Sequence, residues 1–253
     1  MKNKIKQELY EFRLLMRNIP PIVLSLFVIT IITMNLLANK SLNIPLAWLA
    51  LDCGTIISWL AFLINDILTK HFGPKAATEV SILASIINLF VCLIFFIGSR
   101  ISGVWGESFI EGSENIINNA LDNTFGGTWY VVMGSTIAFL LSAFVNNFLN
   151  YLVGKLFKKH PDGFLAYASR TYISTAIGQF VDNLTFTLIV SHFFFGWTML
   201  QCFMSALMCM VFELILEVIF SPIGYKVSGK WKKDNVGNEY LDYIKRRARW
   251  KYW

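Results

Sequence analysis

Charge is scarce in this chain of 253 residues: only 15% are Asp, Glu, Lys or Arg, against 55% apolar and 15% aromatic. A water-soluble domain carries roughly a quarter charged residues, so a soluble globular fold is excluded for most of the chain. Cysteine is equally sparse. Cys53, Cys92, Cys202 and Cys209 form no CxxC pair, which argues against a disulfide framework or a zinc site. The three histidines, His71, His160 and His192, show no HExxH spacing, so a metallohydrolase has no ligand set. GxSxG and phosphate-cradling loops are missing too. The chain reads as a non-enzyme without metal or cofactor.

What is present is a series of apolar runs of about 20 residues, the length that crosses a bilayer. They fall at 19–38, 46–67, 78–97, 129–153, 164–195 and 200–220. In hydrocarbon a backbone must satisfy its own hydrogen bonds, so such runs are helices. The expected fold is all-α, a polytopic six-transmembrane-helix bundle. Every Lys and Arg except Lys40, Arg100 and Arg170 lies in the N-tail, the second loop (Lys70, Lys75), the fourth loop (Lys155, Lys158, Lys159) or the C-tail. Basic residues stay cytoplasmic, which puts both termini inside a multi-pass protein of the cell inner (cytoplasmic) membrane. The net charge of +6 then reflects topology. The tail Lys245-Arg246-Arg247-Ala248-Arg249 suits anionic lipid rather than nucleic acid. The expected partners are the bilayer and a small molecule, with no nucleic acid, and a homodimer is compatible with this.

Three regions are expected: a basic cytoplasmic surface helix at 1–18, a transport domain at 19–222 and a basic cytoplasmic tail at 223–253. The only long loop, 98–128, lies outside and is acidic through Glu107, Glu111, Glu114 and Asp122. Its Ile110, Ile117 and Leu121 recur at helical spacing before Gly126-Gly127, predicting an interfacial helix on the outer leaflet, or else a lid. After Pro222 the chain is expected to leave the membrane.

Polar residues inside the spans carry the functional signal. An ion in hydrocarbon costs at least ~2.5–3.5 kcal/mol at the helix centre, so such residues face a protein interior or a wet cavity. Positions three and four apart share a helix face. Span two aligns Asp52, Thr55, Trp59, Phe62 and Asp66. Span four aligns Ser135, Ser142, Asn146 and Asn150. Span five aligns Thr171, Thr175, Gly178 and Asp182, with Gln179 on the flank, and span six aligns Ser205, Cys209, Glu213 and Glu217. Small and hydroxyl residues suit close helix packing, whereas packing does not need carboxylates. Depth divides these groups. Asp66, Arg170 and Glu217 fall near the cytoplasmic end as an inner gate or ion pair, with Asp66 or Glu217 the partner of Arg170. Asp52, Trp59, Phe62, Asn146, Gln179, Asp182 and Glu213 lie nearer the middle or outer half as substrate-site candidates. Aromatic faces with carboxylate and amide groups suit a flat, purine-like heterocycle.

Ser169-Arg170, Ser174-Thr175, Gly178-Gln179, Asp182 and Phe186 together resemble the fifth-helix signature of the queuosine precursor transporters, also called vitamin-uptake-like transporters. Asp66 followed by Phe72-Gly73-Pro74-Lys75-Ala76 is similar to that family's second-helix exit. Glu217 with Pro222, Tyr225 and Asp242-Tyr243 is similar to its last helix and tail. The resemblance covers roughly residues 46 to 245. It implies six transmembrane helices and import of a 7-deazaguanine base: preQ0, preQ1 or queuine, salvaged for tRNA modification. Glu213 stands where many members carry Lys, and an extra buried acid suits a substrate bearing an amine. The alternative is a substrate-binding subunit of an ATP-driven vitamin uptake system.

Overall fold

The apolar runs are helical, and prolines and glycines mark most of their borders. The computed structural model describes residues 2–105, 112–156 and 164–250. Glu107, Ile110, Glu111, Lys158, Lys159 and His160 lie outside the described residues, as do the side chains of Asn150, Lys155, Arg170 and Thr171. The helices are α1 (Lys2–Asn18), α2 (Pro21–Leu37), α3 (Thr55–Phe72), α4 (Pro74–Gly98), α5 (Glu114–Leu156) and α6 (Phe164–Phe186). A π-helical stretch (Thr187–His192) and the short α7 (Phe193–Phe195) extend α6, and α8 (Met199–Lys233) and α9 (Asn238–Trp250) follow. Among the described residues the only β pairing is one isolated bridge, Ser41 to Asp52.

Local chemistry sets the breaks. Pro20 and Pro21 cannot donate N–H groups and suit a helix start, and α1 and α2 meet there at 102°. Gly73, with φ 92°, ends α3, and Pro74 opens α4. Gly196, at φ 70°, ends α7. At Thr198 the hydroxyl accepts from Gln201 N at 3.2 Å, while the Gln201 side chain accepts from Thr198 N at 2.8 Å. That capping box starts α8.

Among the described residues four helical stretches are long and apolar enough to cross a membrane: Pro74–Gly98, Glu114–Asn146, Tyr172–Phe195 and Met199–Phe220. The bent α1–α2 pair counts as a fifth if it is one span. The chain is therefore a helical, multi-pass membrane protein. Exposed Ile86, Phe90 and Leu93 on α4, and Phe212, Ile215 and Ile219 on α8, suit a hydrocarbon-facing surface.

Two sequence expectations need correction. The second run does not begin at 46, because helix starts only at Thr55. Residues 38–54 fold back instead, with Leu42 N donating to Leu51 O at 2.7 Å and Cys53 N to Lys40 O at 2.8 Å. Pro45 lacks a donor, and the Asp52 side chain takes Gly54 N at 2.8 Å, so local turns win over helix. Second, Gly126-Gly127 does not separate an interfacial helix from span four, since α5 runs unbroken from Glu114. The Ser99 side chain presses on Gly126, where a Cβ would collide with it. Trp105 fastens the early turns: its indole N–H donates to Asp122 at 2.6 Å, its backbone N–H to Asn118 at 2.7 Å, and its ring stacks on Phe125. Gly126 allows this close approach. The membrane-crossing stretch of α8 ends at Phe220, next to the expected exit at Pro222, and the helix itself runs on through exposed Pro222 to Lys233. Gly224 just beyond it lies against Leu63 and Ile67, which keeps that helix seated on α3.

The helix order places the polar stripes. Thr55 meets Cys209, Ser58 meets Glu213, Ile67 meets Gly224, and Lys70 lies over the Tyr225 ring at 3.7 Å. Both numberings rise together, so α3 and α8 run parallel. Gly178 packs on Asn146 and Gly134 on Val190, so α6 runs antiparallel to α5. Small residues allow these backbones to approach.

At one end, α1, the α3–α4 turn, the end of α8 and α9 bury Leu15, Phe72, Trp231 and Tyr240 together. Above this core Lys75 bonds Glu8 at 2.7 Å and Glu11 at 2.5 Å and lies 3.5 Å from Glu79, while Arg247 pairs with Glu8 at 2.7 Å and also with Glu11. Glu8, Glu11 and Glu79 converge closely enough to hold a cation, but Lys75 and Arg247 already supply the positive charge.

Candidate functional site: a polar bay among α3, α5, α6 and α8

The stripe on α6 is the centre of the site. Gly178 lets Asn146 of α5 press against it, with Asn146 Cβ 3.1 Å from where a Gly178 side chain would begin. One position on, Gln179 is 1% exposed, and neither its Oε1 nor its Nε2 has a hydrogen-bond partner among the described residues. Three positions further, Asp182 lies beside the Ser142 hydroxyl. Its Oδ1 is buried and has no hydrogen-bond partner among the described residues, as is true of Oδ1 of Asn146. Gln179 and Asp182 share a helix face by spacing. An unsatisfied buried polar group costs about 1–3 kcal/mol, and these three residues hold four such atoms among the described residues.

The neighbouring layer differs because its groups are satisfied. Glu213 of α8 is 2% exposed. Its Oε1 accepts from Ser58 Oγ of α3 at 2.5 Å, and its Oε2 accepts from Asn183 Nδ2 of α6 at 3.0 Å. Asn183 Nδ2 also donates to the Gln179 carbonyl at 2.9 Å. Asp182 and Asp52 lie within electrostatic range of Glu213, so three of the expected acids do converge. One turn along α8, Glu217 is 4% exposed and faces Asp66 of α3 within hydrogen-bonding reach. Neither Glu217 oxygen has a donor among the described residues. Facing carboxyls in a dry interior cannot both stay ionised without a shared proton or a cation. The expected pairing with Arg170 falls outside the described residues.

The aromatic candidates separate. Trp59 stacks on Phe220 at 4.4 Å and 16°, and its indole N–H donates to Ile56 O at 3.0 Å, so one ring face is already covered. Phe62 is half-buried and makes no ring pair among the described residues. Asp52, off the helix, accepts from Gly54 N at 2.8 Å.

The sequence stripes omitted Ser58 and Asn183. Asn183 stands four residues after Gln179 and Ser58 three after Thr55, so helical spacing alone could have found both. Glu8, Glu11 and Arg247 carried no such signal, because their partners lie far away in sequence.

This arrangement offers acceptors from a carboxyl and two amides and one amide donor. It can bind a polar molecule inside a membrane bundle. The family described as "Putative vitamin uptake transporter" matches residues 52–227, which include Asp52, all of α3 to α7 and the polar part of α8. No curated protein and no solved structure matches the chain. A match over more than half of the chain, enclosing the whole bay, makes this protein a member of the vitamin uptake transporter family.

Proposed function

We propose that this protein imports a queuosine precursor or a related 7-deazaguanine base through the bay among α3, α5, α6 and α8. Membership of a transporter family supplies the membrane and a small-molecule substrate; the base is the reading added here. The observation that carries it is the buried patch of Gln179, Asp182 and Asn146 with unpartnered polar atoms. Three acceptors, Gln179 Oε1, Asp182 Oδ1 and Asn146 Oδ1, call for N–H donors. The Gln179 amide N–H calls for one acceptor. A guanine-like edge offers a ring N–H, an exocyclic amine and a ring carbonyl, and Phe62 offers a ring face for stacking.

In this reading six helices cross the membrane, namely α2, α3, α4, α5, α6 with its extension, and α8, with both termini cytoplasmic. At ~1.5 Å per residue α2 and α3 are about 26 Å long, close to the ~30 Å hydrocarbon layer. The end carrying α1, α9 and most basic residues is the cytoplasmic one, in the inner membrane. Asp66 and Glu217 lie on its side of Glu213 and form the inner gate.

The test is uptake of a labelled 7-deazaguanine base by cells that cannot make it. Cells expressing the protein should accumulate label, and Asp182→Ala should abolish accumulation while the protein remains in the membrane. Failure of the wild type to accumulate it would refute the substrate. Full uptake by Asp182→Ala would remove that residue from the site.

A further inference from the structure

The sequence places Glu213 among the substrate contacts, but its surroundings differ from those of Gln179 and Asp182. Each Glu213 oxygen has a protein donor, and the two donors come from different helices. Ser58 reaches from α3, which runs parallel to α8. Asn183 reaches from α6, which carries the bay, and the same amide nitrogen holds the Gln179 carbonyl. Thr55 and Cys209, 3.5 Å apart, join α3 to α8 about one turn away. The carboxyl is thus a three-helix node whose donor Asn183 stands next to Asp182 in the chain, and it leaves the free hydrogen-bonding atoms to its neighbours.

We propose that Glu213 is a positioning residue that ties α6 to the α3–α8 pair through Asn183 and Ser58 and does not itself touch the substrate. This rests on the bay being the substrate site. The consequence is a division of labour: Gln179 and Asp182 bind, while Ser58, Asn183 and Glu213 fix where α6 presents them. A glutamine at 213 keeps the shape of the node, because its carbonyl oxygen accepts from Ser58 and its N–H₂ meets an Asn183 amide turned over. An alanine leaves Ser58 and Asn183 without their shared partner. A residue that bound substrate through its charge would show the opposite pattern, with glutamine failing as badly as alanine.

The experiment compares wild type, Glu213→Gln, Glu213→Ala, Asn183→Ala and Asp182→Asn, each as full-length protein purified in detergent. Thermal melting without ligand and affinity for 7-aminomethyl-7-deazaguanine well below the melting point are both measured. Small displacements of binding groups can cost tenfold or more, so Glu213→Ala and Asn183→Ala should each weaken binding by about tenfold and lower the melting temperature. Glu213→Gln should stay within about threefold of wild type in affinity, while Asp182→Asn should weaken binding with little change in melting. Binding by Glu213→Gln as poor as by Glu213→Ala, with melting retained, would overturn the proposal. So would unchanged melting in Glu213→Ala. If wild type does not bind the base, the substrate reading fails, and melting alone still decides the brace: loss in both alanine variants with rescue by glutamine upholds it, and any other pattern rejects it.

Discussion

Glu11 makes the sharpest quantitative test of how the ends of this chain are held. It is 1% exposed on α1, yet it meets two cations: Lys75, 50% exposed, and Arg247 of α9, 18% exposed. Removing one cation leaves the other in place. Because both are partly solvated, Lys75→Ala or Arg247→Ala alone should cost about 1 kcal/mol, near the upper range for exposed pairs. Lys75→Ala should be the worse, since both cations serve Glu8 but only Lys75 also serves Glu79. Removing both strands a buried carboxylate, which costs about 3–5 kcal/mol. At roughly 2–4 °C per kcal/mol for a chain of this size, the double variant should melt about 6–20 °C lower. Melting of purified protein in detergent reads this directly, and the loss should exceed the sum of the singles. Adding Glu11→Gln to the double variant should recover most of it by removing the stranded charge. Strictly additive losses, or no recovery with Glu11→Gln, would refute the clamp.

Three other outcomes follow from the same geometry. The Arg247 guanidinium, then Lys75, holds the Glu8 carboxyl at about 2 against an ordinary 4.5. A depressed acid stabilises fully above its unfolded value, so the α1–α9 contact should weaken as pH falls from about 4.5 toward 2 and hold from pH 5 to 8; fluorescence transfer between labels on α1 and α9 checks this. Gly178→Val should push α5 off α6, because Asn146 Cβ is already 3.1 Å from the first added atom, and ligand affinity should fall at least about tenfold; unchanged binding would mean the helices can part. Purified protein alone in liposomes should move 7-deazaguanine across the bilayer, and binding without transport would point to a missing driving module.

Much of the bay was legible because helical periodicity is a local property. Gln179, Asp182, Asn146 and Glu213 stand on stripes that spacing alone marks, and packing sets Asn146 against Gly178 and Glu213 against Asn183. What spacing could not separate was role. Glu213 and Gln179 look alike in sequence, and only the third dimension gives one a full set of donors and leaves the other none. The errors in the fold have local causes as well. Asp52 sits in an apolar run, but Pro45 and the Asp52–Gly54 bond divert the backbone before Thr55. Gly126-Gly127 and Pro222 look like breakers, yet packing by Ser99 and Trp105, and by Leu63 and Ile67, carries the helices through. The Glu8–Glu11–Lys75–Arg247 clamp joins residues more than 200 positions apart, which no local pattern can reveal.

The most direct test of the central claim is calorimetric titration of purified wild type and Gln179→Ala with 7-aminomethyl-7-deazaguanine, with melting measured on both. If the unpartnered Gln179 amide awaits the substrate, wild type binds and Gln179→Ala loses about tenfold or more in affinity at little cost in stability. Equal affinity in the two proteins would mean that the buried patch on α6 is not where the substrate sits.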